Sequence, residues 1–262
     1  MKPRTSGPAS QPEGRATARR SDCAIAVMAK LPRAGHSKTR LCPPLRPEQA
    51  ARLSAAFLRD TTETVRAAAT SASIAGYAAY APAGTEEALA PHLAQGMRLI
   101  LADGSAPAPA GVEGFGRCLL DAVQAMFEHG HAAACVLSSD VPTLPARILA
   151  TAATLLFAGS ERRAVIGACE DGGYYLLGMR RPHAGLFADV AWSTDAVAAQ
   201  TRSRAAALGL DLVELPLWYD IDDAASLDRL LQEVSAGSAA PWTREAIAAL
   251  GLPESVRSSC AS

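Results

Sequence analysis

A cationic loop that follows a short apolar run holds the residues best suited to bind phosphate. The run covers residues 24–28, all small or apolar, which is typical of a buried parallel strand. Lys30, Lys38 and Arg40 follow it, and Gly35 allows a tight backbone path between them. Cations at the end of a buried strand can bind a polyphosphate. The spacing therefore predicts a phosphate site, although a solvated basic turn has the same composition and neither a P-loop nor a GxGxxG motif is present.

Carboxylates follow two further apolar runs. Asp140 comes after the run 133–138, where the carboxyl end of a parallel strand faces a ligand crevice. Asp220 and Asp222 come after the last run, and in an extended chain their side chains point the same way. Mg²⁺ is usually held by one or two carboxylates together with phosphate oxygens. These residues predict a divalent-cation site, while the alternative for Asp140 is a helix N-cap.

The turn 170–175, EDGGYY, has residue types suited to an acceptor molecule. Asp171 can accept a hydrogen bond from a hydroxyl or act as a general base, and Tyr174 can cover a bound molecule. Gly172 and Gly173 allow the backbone to approach a ligand closely. A hairpin turn with core tyrosines explains the same pattern equally well, so both interpretations stay open.

The segment 192–194, WST, presents a similar choice. Trp192 and Ser193 can line an acceptor site, or a buried tryptophan can precede a Ser/Thr helix cap. Other chemistries lack their motifs, because GxSxG, HExxH and SxxK are absent from the sequence. The pair His129 and His131 is interpreted as a solvated turn at the end of a helix.

The elements that must position these residues alternate between residue 22 and about residue 235. Predicted strands cover 24–28, 73–80, 97–101, 133–138, 164–168, 174–178 and 211–217. Predicted helices cover 47–70, 86–94, 116–129, 145–158, 194–208 and 223–234. This alternation predicts an α/β fold with a mainly parallel sheet and helices on both faces. Because only a short turn joins 164–168 to 174–178, we expect one antiparallel strand there.

The overall composition favours a cytoplasmic globular protein and excludes several classes. The chain has 262 residues, a formal net charge of −1 and 49% hydrophobic residues, enough for a large core and without the basic excess of nucleic-acid-binding proteins. No apolar run reaches the roughly 18 residues that a membrane span needs. The six cysteines are scattered without a CxxC pair, so we expect free thiols in a reducing cytoplasm.

Composition also divides the chain into three parts. Residues 1–21 are rich in arginine and lack the apolar core of a secretory signal, so a disordered basic tail is predicted. Residues 22–236 are expected to form one α/β domain, followed by a C-terminal helix and tail at 237–262. Residues 105–113, SAPAPAGVE, form a loop suited to a mobile flap over a site.

Five motifs, taken together and in this order, resemble those of one bacterial family. They are KLPRAGHSKTRL at 30–41, SSDVP at 138–142, EDGGYYLLG at 170–178, WST at 192–194 and DIDD at 220–223. The family comprises glycosyltransferase-like domains of unknown function, also described as radical-SAM/selenodomain-associated transferases or arsenosugar-biosynthesis glycosyltransferases. The resemblance spans about residues 23–234. It implies the nucleotide-diphospho-sugar transferase (GT-A) fold, which glycosyltransferases and nucleotidyltransferases share.

The resemblance also implies roles for individual residues. Phosphate contacts would fall to Lys30, Lys38 and Arg40. Asp140 would be the metal aspartate of the donor site, and Asp222 the second acidic ligand.

A nucleotide contact is likewise implied for Arg117, in a segment similar to the family's Gly-Glu-Arg motif after a glycine-rich loop. The chain departs from the family's pattern at three positions around these motifs. Phe115 and Cys118 replace the more usual neighbours of Arg117, and Glu170 stands where an aspartate is expected.

The activity implied is that of a transferase that depends on Mg²⁺ or Mn²⁺ and uses a nucleotide-activated donor. A nucleotide sugar with a small-molecule acceptor is the leading hypothesis. The alternative is a nucleotidyltransferase that joins a nucleoside triphosphate (NTP) to a phosphorylated small acid and releases pyrophosphate, similar to 2-phospholactate guanylyltransferase. A catalytically inactive binding module is a third hypothesis. Neither nucleic acid nor a membrane is expected as a partner, and the oligomeric state stays open.

Overall fold

A seven-stranded sheet forms the centre of the computed structural model, which describes residues 22–235, 237 and 240–252. The strands are β1 (Cys23–Lys30), β2 (Ile74–Ala81), β3 (Arg98–Leu101), β4 (Ala133–Ser138), β5 (Arg163–Ala168), β6 (Tyr174–Met179) and β7 (Asp211–Glu214). Their order across the sheet is β3-β2-β1-β4-β6-β5-β7. β6 runs antiparallel to β4 and β5, and the other neighbouring pairs are parallel. The predicted mainly parallel sheet with one antiparallel strand is confirmed.

Helices cover both faces of this sheet. They are α1 (Pro47–Ala68), α2 (Glu86–Leu89), α3 (Phe115–Glu128), α4 (Ala146–Ala158), α5 (Val197–Ala207), α6 (Ala224–Ser235) and α7 (Pro241–Leu250). α1 and α4 pack on one face, and α3 and α5 pack on the other. A third apolar cluster joins α1 to α6 and to the 3-10 turn Thr39–Leu41. The predicted basic tail at 1–21 and the tail after residue 252 lie outside the described residues.

Strand β1 is buried on both faces, which explains its uninterrupted apolar sequence. Ile25 and Val27 pack toward α1 and α4, whereas Ala24 and Ala26 pack toward α3 and α5. A strand covered on both sides has no solvent face and therefore no alternation of polar and apolar residues. Each large apolar side chain buried in this way contributes roughly 1.5–3 kcal/mol. The strand is thus a fixed base for the cationic loop that follows it.

Strand pairing brings three segments of the chain to the carboxyl edge of the sheet. β1 and β4 are parallel neighbours, so Lys30 and Asp140 leave the sheet at the same edge. After β7 the chain runs beside β5, where the amide of Trp218 donates to the carbonyl of Ala168 at 3.2 Å. It then crosses to β4, where the amide of Ile221 donates to the carbonyl of Asp140 at 3.0 Å. This crossing carries the last acidic motif to the end of β4.

Two elements end earlier than predicted next to a proline, which explains the difference in each case. β7 ends at Glu214 and not at residue 217, because Pro216 has no N–H to donate to the ladder. The helix predicted at 86–94 is the four-residue α2 followed by a 3-10 turn over Ala90–His92, which contains Pro91. Proline cannot continue the hydrogen bonds of a helix beyond its first turn.

Helix α7 is fixed to α1 through a carboxylate. Asp60 accepts hydrogen bonds from the amides of Trp242 and Thr243 at 3.1 and 2.7 Å, which satisfies two free N–H groups at the start of α7. Burial raises the pKa of Asp60, and these hydrogen bonds oppose that rise. In the described part of the chain no helix combines the length and the apolar character that crossing a membrane requires.

The amino edge of the sheet carries an ionic group that we call the amino-edge cluster: Asp22, Tyr77, Arg98 and His131. His131 is buried, with Nε2 2.8 Å from the Tyr77 hydroxyl and Nδ1 2.8 Å from Asp22. The Arg98 guanidinium donates to the same hydroxyl at 3.0 Å. The prediction of a solvated turn at His131 was therefore wrong. Its ring ties the start of β4 to β2 and to the residue that precedes β1.

Candidate active site

The Lys38 ammonium lies between two carboxylates at the carboxyl edge of the sheet. Its Nζ is 2.8 Å from Oδ2 of Asp140, 2.6 Å from Oδ1 of Asp222 and 2.7 Å from the carbonyl of Ile221. Only 7% of the Lys38 side chain is exposed. Burial opposes the charge on Lys38, but attraction to Asp140 and Asp222 outweighs it and raises the pKa of the ammonium above its ordinary value. Lys38 is therefore charged and held in place.

The loop before Lys38 determines where the ammonium lies. Gly35 has a φ of 76°, and a Cβ there would contact nothing within 4 Å, so glycine is needed for the backbone angle alone. Lys38 itself has a φ of 51°, in the left-handed region that a lysine rarely adopts. The 3-10 turn Thr39–Leu41 follows at once, with Leu41 buried against α1 and α6. The strained backbone turns the Lys38 side chain toward the end of β4.

Lys30 and Arg40, the other two cations of the loop, are exposed. The Arg40 side chain is 68% exposed, and its Nη1 is 3.9 Å from Oδ2 of Asp222. Lys30 lies at the end of β1, close enough to Cys118 of α3 to act on its thiol electrostatically. Of the three cations predicted to bind phosphate, the structure thus leaves two at the surface and places Lys38 against the acidic pair.

Asp171, Asp220 and Cys169 form a second group beside the acidic pair. One ligand atom from each lies within 4.8 Å of the others. Burial, followed by the charges of Asp171 and Asp222, raises the pKa of Asp220 to about 7, and the positive charge of Lys38 opposes the rise. The chain therefore concentrates four aspartates here, and they reach the edge from three different segments.

The neighbourhood of Cys169 was not predicted from the sequence, which gave no sign that a scattered cysteine would join the acidic group. Burial and the surrounding carboxylates raise the pKa of its thiol well above the ordinary value. It therefore stays protonated, which argues against a cysteine nucleophile. The predicted free thiols are confirmed for the cysteines that the structure describes, whereas Cys260 lies outside them.

The turn that contains Asp171 is docked on the segment before α5. A Cβ on Gly172, whose φ is 90°, would lie 2.0 Å from the carbonyl oxygen of Asp195. A close backbone approach at this glycine is thus present within the protein itself, and an acceptor contact there stays a prediction. The amide of Gly173 donates to Asp171 at 2.8 Å, so this carboxylate is held by its own turn. Asp171 is exposed and can meet a molecule from solvent.

An aromatic group borders this turn. The rings of Tyr174 and Trp192 meet edge to face with centroids 6.5 Å apart, and Phe115 meets Trp192 in the same way at 5.9 Å. The Tyr174 hydroxyl is buried and finds no hydrogen-bond partner among the described residues, and burial raises its pKa. Ser193 follows with a φ of 64°. Trp192 rests on Gly116, where a Cβ would come within 2.9 Å of the indole.

Arg117 holds the loop that was predicted to be a flap. Its Nε donates to the carbonyl of Gly104 at 2.7 Å, and Nη2 donates to the carbonyl of Ala106 at 3.1 Å. At its other end the loop is held by the Asp189 amide, which donates to the carbonyl of Gly111 at 2.8 Å. The structure therefore gives Arg117 a positioning role in this loop, and a nucleotide contact by its guanidinium stays a prediction.

The acidic pair, Asp140 and Asp222, fits a divalent cation. Both carboxylates already converge on one positive atom, Lys38 Nζ, at hydrogen-bond distance. Carboxylate oxygens are the ligands that Mg²⁺ and Mn²⁺ prefer, and phosphate oxygens can complete the coordination. The side chains are 29% and 41% exposed, so an ion can reach them from solvent.

Comparison with known sequences and structures agrees with this architecture. A model of the family described as "Uncharacterized protein conserved in bacteria (DUF2064)" matches residues 64–194, and no curated protein sequence matches the chain. A structure from Desulfovibrio desulfuricans G20, described as a "putative nucleotide-diphospho-sugar transferase", is similar with a TM-score of 0.75 and 23% identity, over 88% of this chain and 96% of that one.

A second similar structure is CMP:2-keto-3-deoxy-manno-octonic acid synthetase in complex with CTP. Its TM-score is 0.50 and its identity 12%, over 83% of this chain and 100% of that one. At such identities the likeness establishes the fold alone. The predicted nucleotide-diphospho-sugar transferase fold is thereby confirmed.

Proposed function

The chain belongs to the bacterial DUF2064 family, and from that premise we propose that it is a metal-dependent transferase that acts on a nucleotide-activated donor. The proposal rests on one observation: the carboxylates of Asp140 and Asp222 converge on a single cation position, which Lys38 Nζ now occupies. This position lies at the carboxyl edge, where open α/β sheets bind their ligands. Lys30 and Arg40 are exposed at the same edge and can bind the phosphates of a donor.

Asp140 and Asp222 would hold Mg²⁺ or Mn²⁺ in the donor complex. The ion would supply positive charge to the departing diphosphate. Lys30 and Arg40 would neutralise the remaining phosphate charge as it grows on the leaving group, which would lower the barrier. We propose a nucleotide sugar as the donor because of the character of the acceptor side.

The acceptor side supports transfer to a neutral hydroxyl compound. Asp171 is exposed and negatively charged, and Asp220 adds negative charge as it loses its proton near pH 7. The neighbouring Arg229 guanidinium is already neutralised by both oxygens of Glu170, at 2.9 and 3.0 Å. A phosphorylated acid would therefore meet repulsion here. Asp171 is exposed, so it can orient an acceptor hydroxyl or remove its proton.

Nucleotidyl transfer is the second candidate, and the similarity in fold to a synthetase solved with CTP favours it. The same carboxylates and exposed cations would bind a nucleoside triphosphate, and pyrophosphate would leave. What weighs against it is the acidic acceptor side around Asp171, because a phosphorylated acceptor needs cations there.

A ligand screen tests the proposal. The protein is mixed with Mn²⁺ and in turn with each NTP and each common nucleotide sugar, and the melting temperature is recorded. We expect a nucleotide sugar to give the largest rise. Stabilisation by an NTP together with pyrophosphate release would replace glycosyl transfer with nucleotidyl transfer.

The control variants are a matched pair of Asp-to-Asn substitutions. Asp140→Asn should abolish the metal-dependent part of the rise. Asp211→Asn, at the exposed start of β7, should retain it. If Asp140→Asn binds the nucleotide with an undiminished dependence on metal, the chain is a binding module and the proposal fails.

A further inference from the structure

We propose that Lys38 is an internal occupant of the cation position between Asp140 and Asp222, and that a divalent metal ion can enter only when Lys38 leaves. The proposal rests on the proposed function, which identifies the metal site. Before a donor binds, the Lys38 side chain blocks the metal position. Lys38 becomes available to phosphate only after it has been displaced.

The hydrogen bonds of Lys38 use the full donor capacity of its ammonium. An ammonium has three donors and no acceptor. All three donors are used, by Asp140 Oδ2, Asp222 Oδ1 and the carbonyl of Ile221. In this position the Lys38 side chain therefore has no donor left for a phosphate oxygen. The predicted phosphate contact of Lys38 requires it to leave this position.

Electrostatic repulsion prevents Lys38 and a divalent ion from sharing this position. A divalent ion coordinated by Asp140 and Asp222 would lie where the ammonium is now, or directly against it. Two positive charges at that separation repel strongly in a partly buried place. The Lys38 side chain is only 7% exposed, so little solvent is present to screen them. Lysine and metal ion are thus alternatives for the same pair of carboxylates.

The choice of residue supports an exchangeable occupant. The chain has only three lysines (Lys2, Lys30 and Lys38) among its 25 basic residues, so arginine supplies nearly all its other cations. An ammonium is a compact charge on a flexible stem, whereas a guanidinium is a planar fork that binds a carboxylate bidentately. A lysine at this position can lie between two carboxylates and can also move away, because only its stem must rotate.

The exposed cations Lys30 and Arg40 would favour the displacement of Lys38 when a donor binds. Arg40 is already 3.9 Å from the second oxygen of Asp222, and Lys30 is at the same edge. A diphosphate bound by these two would place negative charge beside Lys38 and would bring its own metal ion. The donor and the ion then replace, in one step, the contacts that Lys38 gives up. Free metal ion alone has to compete with the lysine.

Binding of Mn²⁺ alone, followed by electron paramagnetic resonance, tests the exclusion. The full chain is compared with Lys38→Met and with Arg66→Met, which removes an exposed cation at the amino edge of the sheet. We expect Lys38→Met to bind Mn²⁺ at least about tenfold more tightly than the unchanged protein, and Arg66→Met to bind as the unchanged protein does. Adding Asp140→Asn to Lys38→Met should remove the gain, since the ion uses that carboxylate. Affinity of Lys38→Met no higher than that of the unchanged protein, including no binding by either, overturns the proposal.

A labelling experiment on the unchanged protein covers the case in which Lys38→Met does not fold. An amine-reactive acetylating reagent is applied without metal and with saturating Mn²⁺, and the two lysines are quantified by mass spectrometry. We expect Lys38, whose side chain is only 7% exposed, to be protected relative to Lys30 without metal. We expect it to react at least about fivefold faster with Mn²⁺, because the displaced side chain becomes accessible to the reagent. A reactive Lys38 in the metal-free protein, or an unchanged rate with Mn²⁺ bound, overturns the proposal.

These measurements use no donor and no acceptor. If the chain proves to have no nucleotide-dependent activity, the proposed function fails while the exchange of lysine for Mn²⁺ can still be seen. If activity is found but Lys38 does not exchange, the inference fails while the proposed function stands.

Discussion

The two edges of the sheet carry ionic groups that differ in their balance of charge. The amino-edge cluster (Asp22, Tyr77, Arg98 and His131) joins one carboxylate, one guanidinium, an imidazole and a phenol in a continuous chain of hydrogen bonds. The carboxyl edge gathers Asp140, Asp171, Asp220 and Asp222 around one buried ammonium, that of Lys38.

This difference in charge balance separates a group that stabilises the fold from one suited to a ligand. A balanced polar cluster stabilises the fold because every buried group has a partner. An excess of like charge destabilises the folded state, so it persists where a ligand supplies the missing charge. We therefore expect the amino edge to serve stability and the carboxyl edge to serve binding.

The largest expected effect is on turnover and comes from the carboxyl edge. Asp140→Asn should lower kcat/KM by about 10²–10³-fold, because the metal ion and the departing diphosphate lose a fixed carboxylate. The free energy of unfolding should change little, since one excess negative charge is removed. Steady-state kinetics with the donor found by the ligand screen, together with urea unfolding, measure both. Full turnover in this variant would erase the contrast between the edges.

At the amino edge the same kind of change should act on stability alone. His131→Ala removes two buried hydrogen bonds and leaves a cavity, so we expect a loss of about 3 kcal/mol in the free energy of unfolding. Mn²⁺ affinity and kcat/KM should stay as they are, because the cluster is at the opposite edge. The matched control is His129→Ala, an exposed ring stacked on Tyr77 at 5.7 Å, which should cost under about 1 kcal/mol.

The pH dependence of the free energy of unfolding tests the excess of negative charge around Asp220. Its pKa is about 7 in the folded protein against 3.8 as the ordinary value. Between these values the folded state keeps a proton that the unfolded state has lost, so stability must fall as pH rises and the loss is complete above about pH 7. In metal-free protein with EDTA, urea unfolding should show a fall of about 2 kcal/mol from pH 5 to pH 8 that Asp220→Asn lacks. Identical pH profiles would contradict the assigned charge excess.

Within the amino-edge cluster, we expect a smaller effect from loss of the Tyr77 hydroxyl than from loss of the His131 ring. Tyr77→Phe removes one oxygen from between His131 and Arg98 and should cost about 1 kcal/mol, because the Arg98 guanidinium can turn to water. Chemical denaturation measures it, and its value should be below that of His131→Ala. A larger loss for Tyr77→Phe would mean that the phenol, and not the imidazole, joins the two halves of the cluster.

Local pattern predicted most of the sheet, because strands buried on both faces leave apolar runs that are visible in the sequence. β4 occurs at the predicted residues, Ala133–Ser138. The sites at strand ends follow from the same reading, since parallel strands bring their carboxyl ends to one edge. Asp140 and the cationic loop were found in this way.

Long-range pairing could not be predicted from spacing. Lys38 and Asp222 are 184 positions apart, and no local rule says that a lysine stem will reach that carboxylate. The prediction of a solvated turn at His131 was wrong for the same reason, because its partners Tyr77 and Asp22 belong to other parts of the chain. Cys169 became part of the acidic group only because the chain after β7 returns beside β5.

A ribosome releases Asp222 long after Asp140, and the segment that carries it must cross from β5 to β4 before the two can meet. A nascent chain that stops before Trp218 can begin to assemble β1 to β4 without owning the second carboxylate. If Asp140 and Asp222 hold a metal ion as proposed, the complete metal site would form only after this last crossing has been made.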